Sequence, residues 1–340
     1  MIIKHVSHSS LSALKVSPQY FKKYINRELD QEDSRYLDLG SAIHCYILEN
    51  KDFNNRYIVS DVPVVGGMMG KFIEALVENE KFTCTCVIDN PEDNPDEIMF
   101  PNVEALYQHC YDIAGFKTSI ESVIKKLNNP EIHDYVTLLR NAVDKHILSQ
   151  EEMETILQCA ASAGRHAVAG TILNPVGAEP EKEILWTHKD FKIKSIIDNL
   201  ILDKEKGLVT VTDLKTTSKN PHNFLRSYTS YGYYRQIGIY KQAVMAYMTE
   251  LGLDPADYDF KTYIVALQTT GLCECVVYEP DNLDLSIAID EFESLLDRLK
   301  WHQDHNHWDY PMEYYNNNGV IKIKLSDETI SRIREDSENN

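Results

Sequence analysis

The chain of 340 residues is long enough to bury a substantial core, as one elaborated domain or as two. Its hydrophobic content of 43% and charged content of 26% are ordinary for a globular protein. No apolar run approaches membrane-spanning length, and the N-terminus lacks the basic and apolar regions of a signal peptide. We therefore expect a cytoplasmic protein that makes no membrane contact.

The first 60 residues are predicted to be helical. An amphipathic pattern runs from Ser9 to Tyr24 and predicts one helix there. A second helix is expected to begin near Leu39 and to carry Ile43 and Ile47 into a core, with His44 beside them.

Residues 61–150 differ from the rest of the chain. The segment opens on Pro63 and nearby glycines, passes through the acidic, proline-containing stretch 89–97, and ends in helical patterns. We predict a mostly helical insertion that carries no chemical motif of its own.

Residues 151–325 combine helical and strand patterns and are predicted to form the core of the functional domain. A helix near Met153–Gly170 precedes three short strands separated by turn signals, which predicts an antiparallel meander. A long helix over Ser230–Leu251, two more strands and a closing helix follow. The polar tail 326–340 is predicted to be disordered.

Acidic residues and a lysine occur on the three strands of this meander. Glu183 starts the first strand, Asp198 closes the second, and Asp213 and Lys215 end the third. Lys215 lies two positions after Asp213 and therefore on the same strand face. Carboxylates can hold a hard divalent cation, and a neighbouring ammonium offsets negative charge that develops on phosphorus. The pattern predicts metal-dependent phosphodiester hydrolysis.

Several of these residues are also compatible with a purely structural role. Glu183 could be a solvated strand residue. Glu181, which would point to the same strand face, is the alternative candidate for the third carboxylate. Asp198 follows two isoleucines, so a carboxylate lies where the pattern is otherwise buried, and a cation is expected nearby. His44 is compatible with a packed core histidine as well as with a metal ligand.

The four residues Glu183, Asp198, Asp213 and Lys215 resemble the core motif of the PD-(D/E)XK nuclease superfamily. This resemblance implies an α/β fold like that of restriction endonucleases, in which a central mixed sheet is flanked by helices. The N-terminal helical region would then form part of the nuclease domain.

The flanking sequence is similar to the RecE-like branch, which contains exodeoxyribonuclease VIII and phage relatives. Segment 211–240 resembles that branch, including a helix with Gln-x-x-x-Tyr, here Gln236 and Tyr240. The Gly-x-x-x-His element of the branch corresponds to Gly40 and His44. Relatives often carry an arginine at the position of Ile196, so contacts to the substrate near Asp198 are expected to differ.

The resemblance implies an exonuclease that degrades linear double-stranded DNA from its ends, in phage or prophage recombination or DNA processing. It further implies a homo-oligomer and a single-strand annealing recombinase as partner, in the cytoplasm of a bacterial host. The cofactor would be Mg²⁺, with Mn²⁺ as a substitute. Its implied ligands are His44, Asp198, Asp213 and the Leu214 carbonyl. Lys215 would orient or deprotonate the attacking water, and Glu183 would help to hold a second ion.

The formal net charge of −19 is the main objection to DNA as substrate, since phosphate neutralisation dominates affinity for nucleic acids. However, basic residues concentrate around the predicted site. Those expected to contact DNA, together with the helix motif, are Gln236, Tyr240, Lys194, Lys219, Arg226 and Arg235. Each basic residue taken singly is equally typical of a solvated surface.

The seven cysteines are scattered and odd in number. Two C-x-C pairs would point to opposite faces of a strand, which suits neither a zinc knuckle nor the four-cysteine iron–sulfur site of some superfamily members. We expect reduced thiols and no iron–sulfur cluster.

Two alternatives remain open from the sequence. The first is an endonuclease, or a nuclease that prefers single strands, on the same catalytic core. The second is a non-catalytic DNA-binding or assembly protein that retains the fold. The intact set of carboxylates and lysine argues against the second, because a degenerate site would be expected to lose at least one of them.

Overall fold

The computed structural model describes residues 3–29, 35–80, 102–142 and 145–323. The chain contains two compact units, one made of Met1–Ser34 with Ala161–Asn340 and the other of Arg35–Ala160. The acidic stretch 89–97 and the tail 326–340, for which disorder is predicted, lie outside the described residues.

The N-terminal segment forms two helices, α1 (His8–Val16) and α2 (Pro18–Ile25), so the single helix predicted there is wrong. The break falls at Ser17, whose backbone is extended and whose side chain accepts a hydrogen bond from the Tyr20 N–H. Proline fits the first turn of a new helix but cannot continue an existing one, because it has no N–H to donate.

The second unit is mostly helical. Helix α3 begins at Arg35, earlier than predicted, and the unit has its own core, which includes Phe72, Ile73 and Leu106. Its elements are α3 (Arg35–Leu48), α4 (Asn50–Arg56), β1 (Tyr57–Val59), α5 (Gly67–Asn79), α6 (Val103–Ala114), α7 (Ile120–Lys126), α8 (Pro130–Asn141), β2 (His146–Leu148) and most of α9 (Gln150–Arg165). Strands β1 and β2 pair in parallel.

The rest of the first unit contains a five-stranded sheet and its covering helices. The elements are α10 (Ala169–Ile172), β3 (Ala178–His188), β4 (Phe191–Asp203), β5 (Leu208–Thr217), α11 (Leu225–Ser230), α12 (Tyr233–Glu250), β6 (Asp259–Gln268), β7 (Cys275–Tyr278), α13 (Asn282–His305) and α14 (Met312–Asn316). The strand order is β3-β4-β5-β6-β7. Strands β3, β4 and β5 form the predicted antiparallel meander, β5 and β6 run parallel, and β6 and β7 run antiparallel. The predicted α/β fold with a mixed sheet is confirmed.

The core of this unit joins the sheet to helices from distant parts of the chain. Leu11 of α1, Ile197 of β4 and Ile237 of α12 are buried in one apolar cluster. Helix α12 also approaches α13 closely at Gly238, where a Cβ atom would lie 2.6 Å from the Cβ of Ala288. The described helices include none that is both long and apolar enough to cross a membrane.

Candidate active site

Glu181 on β3 and Asp198 on β4 face each other across the antiparallel pair. The register joins Lys182 to Ile197, and the next position brings Glu181 opposite Asp198. Carboxylate oxygens of the two residues lie within 4.8 Å of each other. Glu181 has a backbone φ of 48°, in the left-handed region that residues other than glycine rarely adopt. The backbone of β3 is therefore distorted where the carboxylates meet.

Asp213 on β5 lies on the other side of Asp198. Strands β4 and β5 pair Asn199 with Thr212, so Asp198 and Asp213 are the next facing positions. Asp213 is fully buried, and Asp198 is 8% exposed. Glu181, Asp198 and Asp213 therefore form a row across adjacent strands, which we call the carboxylate row.

The backbone after Asp213 holds Asp198 in place. The Leu214 N–H donates a hydrogen bond to Asp198 Oδ2 at 2.7 Å. Burial raises the pKa of Asp198, although the Lys215 charge and the Leu214 hydrogen bond oppose the rise. Burial thus disfavours the ionised form of Asp198, and a bound cation would stabilise that form.

Lys215 supplies positive charge at the end of this row. Its Nζ donates to Asp213 Oδ1 at 2.7 Å and lies 5.1 Å from the centre of the Tyr233 ring. Burial lowers the pKa of Lys215, but the charges of Asp213 and Asp198 outweigh it and the pKa is raised. Lys215 is therefore an ammonium here, suited to stabilising negative charge.

Glu183, predicted from the sequence as the third carboxylate, lies one step along the same strand face from Glu181. Its Oε2 binds Lys194 Nζ at 2.6 Å, and both side chains are substantially exposed. The structure thus places Lys194, a predicted DNA contact, in a surface ion pair with Glu183. The sequence pattern could not show which glutamate lies nearer the aspartates, because both point to the same strand face. The β3–β4 register decides this, since it sets Glu181 opposite Asp198.

Gln236 and Tyr240 lie one turn apart on α12. Gln236 Nε2 donates to the Tyr240 hydroxyl at 2.7 Å, and the tyrosine side chain is buried. Burial, and then the charges of Asp198 and Asp213, raise the pKa of Tyr240 well above its ordinary value. The hydroxyl therefore stays protonated close to the carboxylate row.

Arg235, predicted to contact DNA, is buried, with a relative exposure of 2%. Its Nη1 donates to Glu291 Oε2 at 2.7 Å and its Nη2 to Ser12 Oγ at 2.8 Å. A contact to DNA needs a guanidinium at the surface, and α12 turns this one inward against α1 and α13. Lys219 and Arg226 are exposed, as their predicted role requires.

The two remaining predicted ligands have different settings. The Leu214 side chain is fully buried, and its N–H is the group that binds Asp198. His44 lies on α3 of the second unit, half-buried between the buried residues Ile43 and Cys45. Its role as a metal ligand stays a prediction, as does that of the Leu214 carbonyl.

A cleft of about 570 Å³ opens beside Lys215, and its lining includes residues of α1 that the sequence did not indicate. Helix α1 contributes His8 and Ser12, and α12 contributes Tyr233 and Gln236. His8 Nε2 lies 3.1 Å from the Gly232 carbonyl oxygen, to which it is hydrogen-bonded. The amphipathic pattern of the N-terminal helices marks an apolar face but gives no sign that this surface borders the carboxylates.

The donor set fits a divalent cation. The carboxylate row provides hard oxygen ligands of the kind that Mg²⁺ and Mn²⁺ take in proteins. Burial of Asp198 and Asp213 makes their negative charge costly, and a bound cation would offset that cost.

Carboxylates on adjacent strands of a mixed sheet, followed by a lysine two residues after the last, define a domain of the PD-(D/E)XK nuclease class. The chain belongs to the family described as PDDEXK-like domain of unknown function (DUF3799), whose model matches residues 7–315. Membership confirms the superfamily predicted from the sequence and indicates a nuclease, for which DNA is the implied substrate.

The solved structures that are similar to this chain include two distant ones. A candidate exonuclease from Eubacterium rectale is 13% identical, with 96% of this chain and 92% of that chain covered and a TM-score of 0.48. The protein SSO0001 is 14% identical, with 74% of this chain and 84% of that chain covered and a TM-score of 0.24. Such distant similarities carry no argument about activity. A search of curated proteins found no significant match.

Proposed function

We propose that this protein is a metal-dependent exodeoxyribonuclease that hydrolyses phosphodiester bonds from the ends of linear double-stranded DNA. The observation that carries the proposal is the carboxylate row, with the Lys215 ammonium 2.7 Å from Asp213. Family membership supports a nuclease, and the preference for ends rests on the RecE-like resemblance.

The proposed cofactor is Mg²⁺, for which Mn²⁺ could substitute. Asp198 and Asp213 are the proposed ligands, and Glu181 takes the place predicted for Glu183 because of its position opposite Asp198. His44 and the Leu214 carbonyl are kept as proposed ligands on the strength of the resemblance. When bound, such an ion lowers the pKa of a coordinated water and polarises the phosphoryl group.

The neighbouring side chains would position and neutralise the scissile phosphate. Lys215, held as an ammonium, would donate hydrogen bonds to phosphoryl oxygens as negative charge develops there. The Tyr240 hydroxyl and the Gln236 amide are donors on the side of α12 that faces the carboxylates. Lys219 and Arg226, both exposed, could contact phosphates farther along the strand.

A single-strand annealing recombinase, a homo-oligomer and a role in phage or prophage recombination are proposed on the RecE-like resemblance alone. They concern the biological setting of the activity. The chemistry of the site does not depend on them.

The proposal is tested by incubating purified protein with linear duplex, covalently closed circular duplex and single-stranded DNA, in EDTA and after addition of Mg²⁺. Digestion of the linear duplex alone, and only with the metal, is expected. Substrates blocked at either the 5′ or the 3′ end then give the direction. Cleavage of closed circles would favour an endonuclease, and binding without cleavage with any divalent ion would favour an assembly protein.

A further inference from the structure

The cleft beside Lys215 is lined by aromatic rings. Tyr20 and Tyr24 come from α2, while Tyr231 and Tyr233 lie where α11 passes into α12. Lys215 itself lines the cleft, so the space borders the ammonium that contacts Asp213.

These rings are available at the surface. Tyr20, Tyr24 and Tyr231 are 41%, 39% and 59% exposed. Exposed tyrosines one helical turn apart, as Tyr20 and Tyr24 are, would ordinarily be turned into a core if their role were packing. Tyr231 also belongs to an aromatic cluster, because its ring centroid lies 5.6 Å from that of Tyr233, which stacks on Phe224 at 5.6 Å.

The electrostatics of the cleft suit uncharged, flat groups. Burial, followed by the charge of Arg235, lowers the pKa of His8 to about 3, so this histidine is neutral at physiological pH. Of the described residues that line the cleft, only Lys215 is then charged. A length of phosphate backbone would need several cations, whereas nucleobases stack on neutral aromatic rings.

We propose that this cleft binds unpaired nucleobases of the strand that is cut, by stacking them on Tyr20, Tyr24 and Tyr231 next to the scissile phosphate at Lys215. The inference rests on the proposed function and extends it. A volume of about 570 Å³ is in the range of small-ligand pockets and has room for nucleobases. Because paired bases are already stacked within the helix, stacking on these rings requires the end of a duplex to open.

Binding is the direct test, measured in EDTA so that no cleavage occurs. The probes are a fluorescent thymidine oligonucleotide of about ten residues and an abasic oligomer of equal length and charge. The parent is compared with Tyr20→Leu, Tyr24→Leu and Tyr231→Leu, and with the matching phenylalanine variants, which keep the ring. Tyr310→Leu is the control, because Tyr310 is similarly exposed, at 49%, and does not line the cleft.

The parent should bind the thymidine oligomer more tightly than the abasic one, and each leucine variant should weaken thymidine binding by about fivefold or more. Affinity for the abasic oligomer should stay the same in every variant, and the phenylalanine variants and Tyr310→Leu should match the parent. Equal affinity of the parent for both oligomers would overturn the proposal, and so would leucine variants that keep the preference for bases.

Cleavage provides an independent readout. With Mg²⁺, the parent should show a lower KM for duplexes with a short unpaired end than for blunt duplexes, and this advantage should shrink in the leucine variants. Absence of metal-dependent cleavage would count against the nuclease and leave the binding comparison in EDTA intact. Cleavage combined with equal binding of both oligomers would refute only the stacking cleft.

Discussion

Glu181 and Asp198 lie opposite each other on β3 and β4, with carboxylate oxygens within 4.8 Å of each other. Two residues along, on the same strand face, Glu183 instead binds Lys194 at 2.6 Å near the surface. The carboxylate of Glu181 therefore lies beside the buried aspartates, whereas that of Glu183, two residues later, forms a solvent-screened ion pair.

Glu181→Gln is expected to lower Mg²⁺-dependent cleavage by roughly 100-fold or more, because a lost metal ligand removes several kcal/mol of charge stabilisation. Glu183→Gln is the matched comparison, with the same chemistry on the same strand face, and should cost much less. Cleavage rates across a Mg²⁺ titration measure both. A larger loss in Glu183→Gln would return the role to that residue.

Lys215→Gln is expected to abolish detectable hydrolysis while leaving DNA binding in EDTA within a few-fold of the parent. The ammonium is proposed to act on charge that develops in the transition state, which binding of the substrate does not require. Single-turnover cleavage and equilibrium binding on the same duplex separate the two effects. Parallel losses in binding and cleavage would point to an ordinary phosphate contact instead.

His44→Ala should raise the Mg²⁺ concentration needed for cleavage sharply, or abolish cleavage, if His44 is a metal ligand. Its melting temperature in EDTA should then change little, because a ligand contributes most when the ion is present. A packing histidine predicts the reverse, with lower stability in both conditions and an unchanged Mg²⁺ requirement. Melting curves and metal titrations on one variant distinguish these outcomes.

Glu291→Gln is expected to destabilise the protein at neutral pH by about 3–5 kcal/mol, because it leaves the buried Arg235 charge without its partner. Glu291 accepts hydrogen bonds from Lys15 at 2.5 Å, Tyr234 at 2.6 Å and Arg235 at 2.7 Å. Burial alone would raise its pKa, but these contacts outweigh burial and lower the pKa from 4.5 to about 2.

The sign of the pH dependence follows from that lowered pKa. The carboxylate stabilises the fold fully above its unfolded pKa near 4.5, and the benefit is lost as pH falls toward about 2. Denaturant unfolding should therefore show a parent–variant difference that is constant near neutrality and shrinks below about pH 4.5. Glu293→Gln on the same helix is the control, since its partly exposed pairs with His188 and Lys189 should contribute no more than about 1 kcal/mol. A difference that does not change with pH would contradict the assignment.

Local patterns in the sequence were sufficient for most of the fold that surrounds the site. Alternation and turn signals predicted the β3–β5 meander, because these strands are consecutive and their pairing needs only short-range turns. The spacing of Asp213 and Lys215 predicted a shared face, which their 2.7 Å contact shows. The break at Ser17–Pro18 was also present in the sequence, but the apolar periodicity that continues across it favoured one helix.

Contacts between residues distant in sequence could not be predicted from these patterns. Arg235 and Lys219 are both basic residues near the site, yet only the packing of α12 against α1 and α13 buries the first. The cleft likewise depends on α2 lying beside Lys215, about two hundred residues later in the chain.

The sequence by itself predicted the class of this protein, because Asp198, Asp213, Lys215 and their spacing follow from residue identity and from the two-residue period of a strand. Only the tertiary structure decided which glutamate joins the row, which arginine is buried and which surface borders the site. Strand register and helix packing are set by burial and pairing over the whole unit, so two residues with the same local pattern, such as Glu181 and Glu183, can have different surroundings.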